Sequence, residues 1–173
     1  DTEQSQGILA VCKKSVIAAP EKPDFILIID MIRDPGNLGT ILRTAASAGV
    51  QAVWVSPGVV DPFSPKVLRA GMGAHFRLPI VAMEWAEITR KAGEGKIKIY
   101  SSVAQGTRSL WQTDFKKATA IIISNEAEGA SEAARAIAEE TISIPMPGNF
   151  ESLNAAIAAA VLIFEVVRQR SQA

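Results

Sequence analysis

Several things are scarce in this sequence. Of 173 residues, one is cysteine, Cys12, and one is histidine, His75. A lone cysteine cannot close an intrachain disulfide, and a single histidine excludes a His-rich zinc or iron centre. Cys12 reads as a small apolar side chain, and the expected setting is a reducing cytosol. Net charge is absent too, with 18 basic residues against 18 acidic ones, which argues against a tail-driven nucleic-acid binder. The longest unbroken apolar run, Ala155 to Phe164, is ten residues, and a bilayer span needs about 20. No membrane span is expected. The first 23 residues carry no apolar stretch behind basic residues, so no signal peptide is expected either. They read as a linker with one short strand over Gly7 to Val11.

The zero charge is a cancellation. From Met31 to Met83 the basic residues Arg33, Arg43, Lys66, Arg69 and Arg77 outweigh Asp34 and Asp61. From Glu126 to Glu151 the acidic residues Glu126, Glu128, Glu132, Glu139, Glu140 and Glu151 stand against Arg135 alone. The two charge signs are therefore sorted along the chain.

From Asp24 onward, short β-branched runs alternate with helical stretches. Strands are predicted over Phe25–Asp30, Ala52–Ser56, Leu78–Met83, Ile97–Ser102, Ala120–Ser124 and Ile142–Pro145. Their consecutive apolar positions suit strands covered on both faces. Helices are predicted over Leu38–Ala48, near Pro65–Gly71, over Glu84–Ala92, over Ser131–Glu140 with Ser131 as N-cap, and from about Ser152 to Arg170. The alternation predicts an α/β fold, a mostly parallel sheet flanked by helices. The last helix is apolar nearly all round, with Glu165 its one polar residue between Ala155 and Val167. It must be buried by more than one surface, either the core of a monomer or a partner subunit.

Three strand-to-helix junctions could carry chemistry. The first, Asp30 to Val50, holds Pro35, Gly36, Asn37 and Gly39 in its loop and Arg43 in the following helix. It is neither GxGxxG nor GxxxxGK[ST], which disfavours a nicotinamide-binding or P-loop site. By itself Arg43 could be a solvated surface residue or a phosphate-grasping guanidinium. The second, Ile121 to Ser131, places Glu126 and Glu128 in a tight turn, with no His or third acid nearby to complete a metal site. The third, Ile144 to Val161, passes from a Pro-Gly loop through Ser152, Leu153 and Asn154 into the buried helix, and Ser152 is a fair N-cap.

In order and spacing, these segments resemble the three motifs of the SpoU-type (TrmH-like) RNA ribose 2′-O-methyltransferases of the SPOUT superfamily. The first is carried by Asn37, Gly39, Arg43, Thr44 and Ala45, the second by Asn125, Glu126 and Gly129, the third by Ile144, Pro145, Met146, Ser152, Leu153 and Asn154. The stretches "GMGAHFRLPI" and "IYSSVAQG" are also similar. Ser124 stands where many members have Gly, and Ala155 and Ala156 replace a common Val-Ser.

The resemblance implies a SPOUT fold with a C-terminal trefoil knot, a homodimer through the C-terminal helix, and S-adenosyl-L-methionine as cofactor. It places the catalytic domain at 24–173 and makes 1–23 a linker or the tail of a missing N-terminal RNA-binding domain. Ser102, Val103, Ala104, Asn125, Glu126, Gly129, Ile144, Met146, Ser152 and Leu153 are then expected around the cofactor. Arg43, Asn37, Glu126, Ser152 and Asn154 are expected at the reacting centre, with Asn37 and Glu126 holding Arg43 or the target ribose. Arg43 would position phosphate and hydroxyl, since a guanidinium is a poor base. Arg33, Arg43, Lys66, Arg69 and Arg77 are the expected RNA contacts, all but Arg43 inferred from charge alone. His75 reads as structural or RNA-facing. The implied activity is methylation of a ribose 2′-hydroxyl in the cytoplasm, in rRNA before tRNA. The rival readings are a non-catalytic RNA-binding or ribosome-assembly protein and a base-methylating relative.

Overall fold

The computed structural model describes residues 17–126 and 128–172, together with Gly7, Ala10, Val11 and Lys13. Of the strand expected over Gly7 to Val11, Ile8 and Leu9 lie outside the described residues, and Gly7, Ala10 and Val11 are not assigned to a strand. The strands are β1 (Phe25–Asp30), β2 (Ala52–Val55), β3 (Ile80–Ala82), β4 (Lys98–Ser102), β5 (Arg108–Ser109), β6 (Thr119–Ser124) and β7 (Glu140–Ser143). The α-helices are α1 (Pro35–Ser47), α2 (Pro65–Gly71), α3 (Trp85–Glu94), α4 (Glu132–Ile137) and α5 (Ala155–Arg170). All strand pairs are parallel, in the order β3-β2-β1-β6-β4-β7-β5.

Side-chain alternation divides the core between the two faces of this sheet. Phe25, Leu27 and Ile29 of β1 pack with Leu38, Ile41 and Leu42 of α1 and with Ala159, Leu162 and Ile163 of α5. Ile26 and Ile28 point the other way, onto the layer that holds Ile88 and Ala92 of α3 and Ala134 of α4. The apolar runs read as doubly covered strands thus carry helices on both faces.

Gly39 sets the spacing of the first helical layer. A Cβ there would lie 2.4 Å from the Ala70 Cβ and 2.8 Å from the Val67 carbonyl oxygen, so only glycine lets α2 lie this close to α1.

Most element bounds shift by one or two residues from the sequence expectation, with β7 at Glu140–Ser143 where Ile142–Pro145 was expected, and some of the differences have a local cause. Helix α1 starts at Pro35, three residues early, because Asp34 caps it through an Oδ1 that accepts from the Asn37 amide at 2.7 Å, with Pro35 in the first turn. The helix expected to reach Glu140 stops at Ile137, since the Glu139 amide donates to the Ile99 carbonyl at 2.9 Å and sheet pairing takes over. Helix α5 begins at Ala155 with Asn154 as its cap, so Ser152 is not the N-cap. Strand β5 is two residues long, too short to register as a periodicity.

The polar groups of α5 are tied inward. The Glu165 carboxylate is buried and receives Nε and Nη2 of Arg168 at 2.8 and 2.7 Å and Nε2 of Gln169 at 2.8 Å. Gln169 also donates to the Thr113 carbonyl and accepts from the Phe115 amide, while Arg170 donates to the carbonyls of Phe115 and Lys117. The helix terminus is thereby bonded to the segment that feeds β6. The Arg168 hydrogen bonds hold the Glu165 carboxyl below the usual carboxylate range, against the opposing effect of burial. A group depressed in the folded state stabilises above its unfolded pKa of about 4.3, and that contribution is lost as pH falls through the lower folded value. Glu165→Gln is therefore expected to cost about 1–2 kcal/mol at pH 7. In urea unfolding, the gap between variant and wild type should narrow as the pH is brought below the carboxylate range.

Candidate active site

Because β4, β6 and β7 are parallel neighbours or near neighbours, the segments that follow them leave the sheet along one edge, the carboxyl edge where open α/β sheets bind ligands. There they enclose a cleft of about 170 Å³. Ser102, Val103 and Ala104 contribute from the end of β4. Ser124, Asn125, Glu126 and Gly129 contribute from the end of β6. Ile144, Met146, Glu151, Ser152 and Leu153 contribute from the long segment after β7, with Ala155 and Ala158 of α5 behind them. Every residue expected around the cofactor lines this one cleft.

Each wall has its own support. After β4, the Val103 amide donates to the Ile142 carbonyl at 3.0 Å, and Thr107 bonds Thr141 through both its amide and its hydroxyl. Gly106 crosses β7 so closely that a Cβ would sit 2.6 Å from the Ile142 carbonyl carbon. After β6, the turn closes by an Asn125–Gly129 bridge, with the Gly129 amide donating to the Asn125 carbonyl at 2.9 Å. After β7, Asn154 accepts from the amides of Ala156 and Ile157 and starts α5.

The walls are then joined to one another. Glu126 Oε2 accepts from the Ala155 amide at 3.1 Å, which links the second motif to the third and sets a carboxylate at a helix N-terminus. Asn154 Nδ2 donates to Asn37 Oδ1 at 3.0 Å, which links the third motif to the first. Asn37, Glu126 and Asn154 are thus held together from loops more than a hundred residues apart at the extremes.

Arg43 is elsewhere. With α1 starting at Pro35 and not at Leu38, Arg43 lies more than two turns into the helix. Six residues beyond Asn37, it stands about 9 Å further along the axis and about 120° around it. It is absent from the cleft lining and instead lines a second hollow, with Ala46, Ser47, Met72, Phe76 and Arg77. Asn37 and Glu126, expected to hold Arg43 or ribose, bond to Asn154 and to the Ala155 amide. Of the other cations expected to meet RNA, Arg33 forms a two-pronged pair with Glu128 at 2.8 and 3.2 Å. Lys66 and Arg69 are exposed on α2, and Arg77, exposed after it, lines the same hollow as Arg43. His75 is buried, with Nε2 2.7 Å from the Pro62 carbonyl oxygen and its ring against Phe63.

One site residue went unread in the sequence. Asp30, fully buried at the end of β1, uses Oδ2 to accept from the Ser124 hydroxyl at 3.0 Å and the Ser131 amide at 2.8 Å. Ser124 and Ser131 flank the turn that carries Glu126, so one carboxylate closes both ends of that turn. An isolated Asp at a strand end gives no periodic or motif signal. The pairing of Asp30 with Ser124 across β1 and β6 exists only in the folded sheet.

A cleft assembled from three loops at the carboxyl edge of a seven-stranded parallel sheet defines a ligand-binding α/β domain. The chain belongs to the SpoU rRNA methylase family, whose model matches residues 24–164. An uncharacterized tRNA/rRNA methyltransferase of Synechocystis is 38% identical over 83% of this chain and 53% of its own length. The 23S rRNA (guanosine(2553)-2′-O)-methyltransferase RlmP of Bacillus subtilis is 34% identical over 96% of this chain and 66% of its own length. Among solved structures, the SpoU methyltransferase AviRb of Streptomyces viridochromogenes in complex with AdoMet superposes with a TM-score of 0.80. It is 35% identical over 90% of this chain and 64% of that one. The chain spans between about half and two thirds of the length of these relatives.

Removing the Asp30 carboxylate should loosen the second wall specifically. Asp30→Ala is expected to lose about 1.5–3 kcal/mol per bond to the charged group. It should also speed amide exchange across 125–131 in a hydrogen-exchange experiment well beyond any change in β2. Uniform acceleration over the whole sheet would contradict a local clamp.

Proposed function

We propose that the chain is the catalytic domain, over 24–173, of an S-adenosylmethionine-dependent RNA ribose 2′-O-methyltransferase that acts on ribosomal RNA in the cytoplasm. The observation that carries this reading is the convergence of the second and third motif loops and the segment after β4 on one cleft at the carboxyl edge of the sheet, with Asn37 of the first motif tied to it through Asn154. The cleft fits the cofactor chemically. Ile144, Met146 and Leu153 offer apolar flanks for an adenine ring, and the walls of residues 102–104 and 125–129 offer backbone donors and acceptors. Glu126 and Glu151 line the cleft and give it negative charge of the sign that suits a cationic sulfonium. Bound there, S-adenosylmethionine would supply a methyl group already activated for transfer.

The protein then has to present a ribose hydroxyl in line and hold it. Glu126 and Ser152 line the cleft, Asn37 and Asn154 are bonded to each other at the start of α5, and together these four would form the receiving side. Arg43, outside the cleft, would hold phosphate and hydroxyl from the RNA side. An intact set of these residues speaks against a non-catalytic binding protein. The relatives' printed names favour rRNA over tRNA and ribose over base.

The same reading includes a homodimer through α5. Ile157 and Phe164 are about half exposed, and with half-buried Val161 between them they form an i, i+4, i+7 apolar stripe that one copy leaves unpartnered. The return of α5 against the segment before β6 suits the family's trefoil threading.

Purified protein, with labelled S-adenosylmethionine, is expected to methylate rRNA from cells lacking the gene, and to leave unlabelled an RNA carrying 2′-deoxyribose at the target nucleotide. Labelling of the deoxy RNA would point to base methylation, and preferential labelling of tRNA would overturn the substrate choice. Arg43→Ala should lower kcat by about 10²-fold or more, the scale of a lost positioning contact. Its cofactor Kd, measured by calorimetry, should stay near wild type because Arg43 does not line the cleft.

A further inference from the structure

The hollow beside Arg43 has features that the cofactor cleft does not share. It lies between α1 and the chain leaving α2, has a volume of about 510 Å³, and is lined by Arg43, Ser47, Met72, Phe76 and Arg77 among others. That volume lies within the range of about 300–1,000 Å³ usual for small-ligand sites. Phe76 is 67% exposed and Met72 71%, large apolar surfaces left in water on the same rim. Both cations are exposed, and among the described residues neither Arg43 nor Arg77 forms an ion pair. Arg33, Arg90, Arg108, Arg168 and Arg170, by contrast, each have a carboxylate.

The backbone presents this rim deliberately. Helix α2 ends at Met72 in the left-handed region with φ 47°, followed by Gly73 with φ 85°. The next turn, Ala74–Phe76, is anchored by the burial of Ala74 and of His75, whose Nε2 lies against the Pro62 carbonyl. Two members of the turn are thus fixed in the core while the third, Phe76, is held outward. An exposed aromatic held on an anchored turn, sharing one hollow with two guanidinium groups that form no ion pair, matches a single-stranded nucleotide, with a π-face for the base and cations for its phosphates.

Resting on the RNA-methyltransferase reading, we propose that this hollow binds one unpaired nucleotide of the RNA, its base stacked on Phe76 and its flanking phosphates held by Arg43 and Arg77. Phe76 is then a recognition residue that holds an unstacked base, while the chemistry proceeds at the cofactor cleft. The preference it confers is for a loop or bulge over a duplex, since a paired base presents no free face.

The test uses the full chain and two fluorescent probes at low salt, a single-stranded oligoribonucleotide and its abasic counterpart with the same phosphates. Wild type should bind the first at least about tenfold more tightly than the second, the scale of one base–aromatic stack. Phe76→Leu, which keeps bulk but removes the ring, should erase most of that difference without altering cofactor affinity, and Phe76→Tyr should restore it. In the methylation assay Phe76→Leu should raise the KM for RNA far more than it lowers kcat. Equal binding of both probes by wild type, or no binding of either, would overturn the proposal. So would a Phe76→Leu protein that still discriminates, or one that instead changes its oligomeric mass, which would make the face a subunit contact. If wild type methylates RNA normally in any of these cases, the enzyme reading stands and only the nucleotide pocket falls. If wild type methylates no RNA, it is the enzyme reading that fails.

Discussion

The parallel pairing of β1 with β6 is the constraint from which the rest of the site follows. Its register runs from Phe25 opposite Thr119 to Asp30 opposite Ser124, joining segments almost a hundred residues apart at the centre of the sheet. That register ends both strands at the same level and sets the buried Asp30 carboxylate beside the turn of the second motif. A one-residue slip of one strand would set Asp30 and Ser124 on opposite faces and send that strand's isoleucines into the wrong helical layer. The position of Glu126, and through it the start of α5, depends on this alignment.

Helix α5 is the second organising element. Its N-terminus collects Glu126 through the Ala155 amide and Asn37 through the Asn154 side chain, and its C-terminus bonds to the segment before β6. Orphan amides at a helix start must find acceptors, and here Glu126 of the second motif takes the Ala155 amide while Asn154 takes those of Ala156 and Ile157. The helix is thus a tie between distant parts of the chain, which accounts for its apolar surface and for the buried Glu165 network near its end.

Charge in this domain is divided between two places. The cleft carries Glu126 and Glu151, suited to a small cation, whereas the side formed by α1, α2 and the turn after them carries exposed arginines suited to phosphate. A neutral total of 18 basic and 18 acidic residues conceals this division. It also limits the long-range attraction that the domain can exert on a polyanion.

The sequence by itself determined the fold class, most of the elements and the membership of the cleft. Doubly apolar strands alternating with capped helices leave few arrangements, and the motif residues sit at strand ends whatever the strand order. It did not determine where α1, α4 and α5 begin or end, because Asp34 and Asn154 compete as caps with their neighbours and Glu139 is claimed by the sheet. It could not reveal Asp30, whose role arises from a partner across the sheet, nor the separation of Arg43 from the cleft, which depends on helix phase counted from the true start. Nor could it set the outward Phe76 apart from the buried His75 beside it. Those features are decided by strand register, helix phase and the close approach allowed at Gly39, which are properties of tertiary packing and not of any local run of residues.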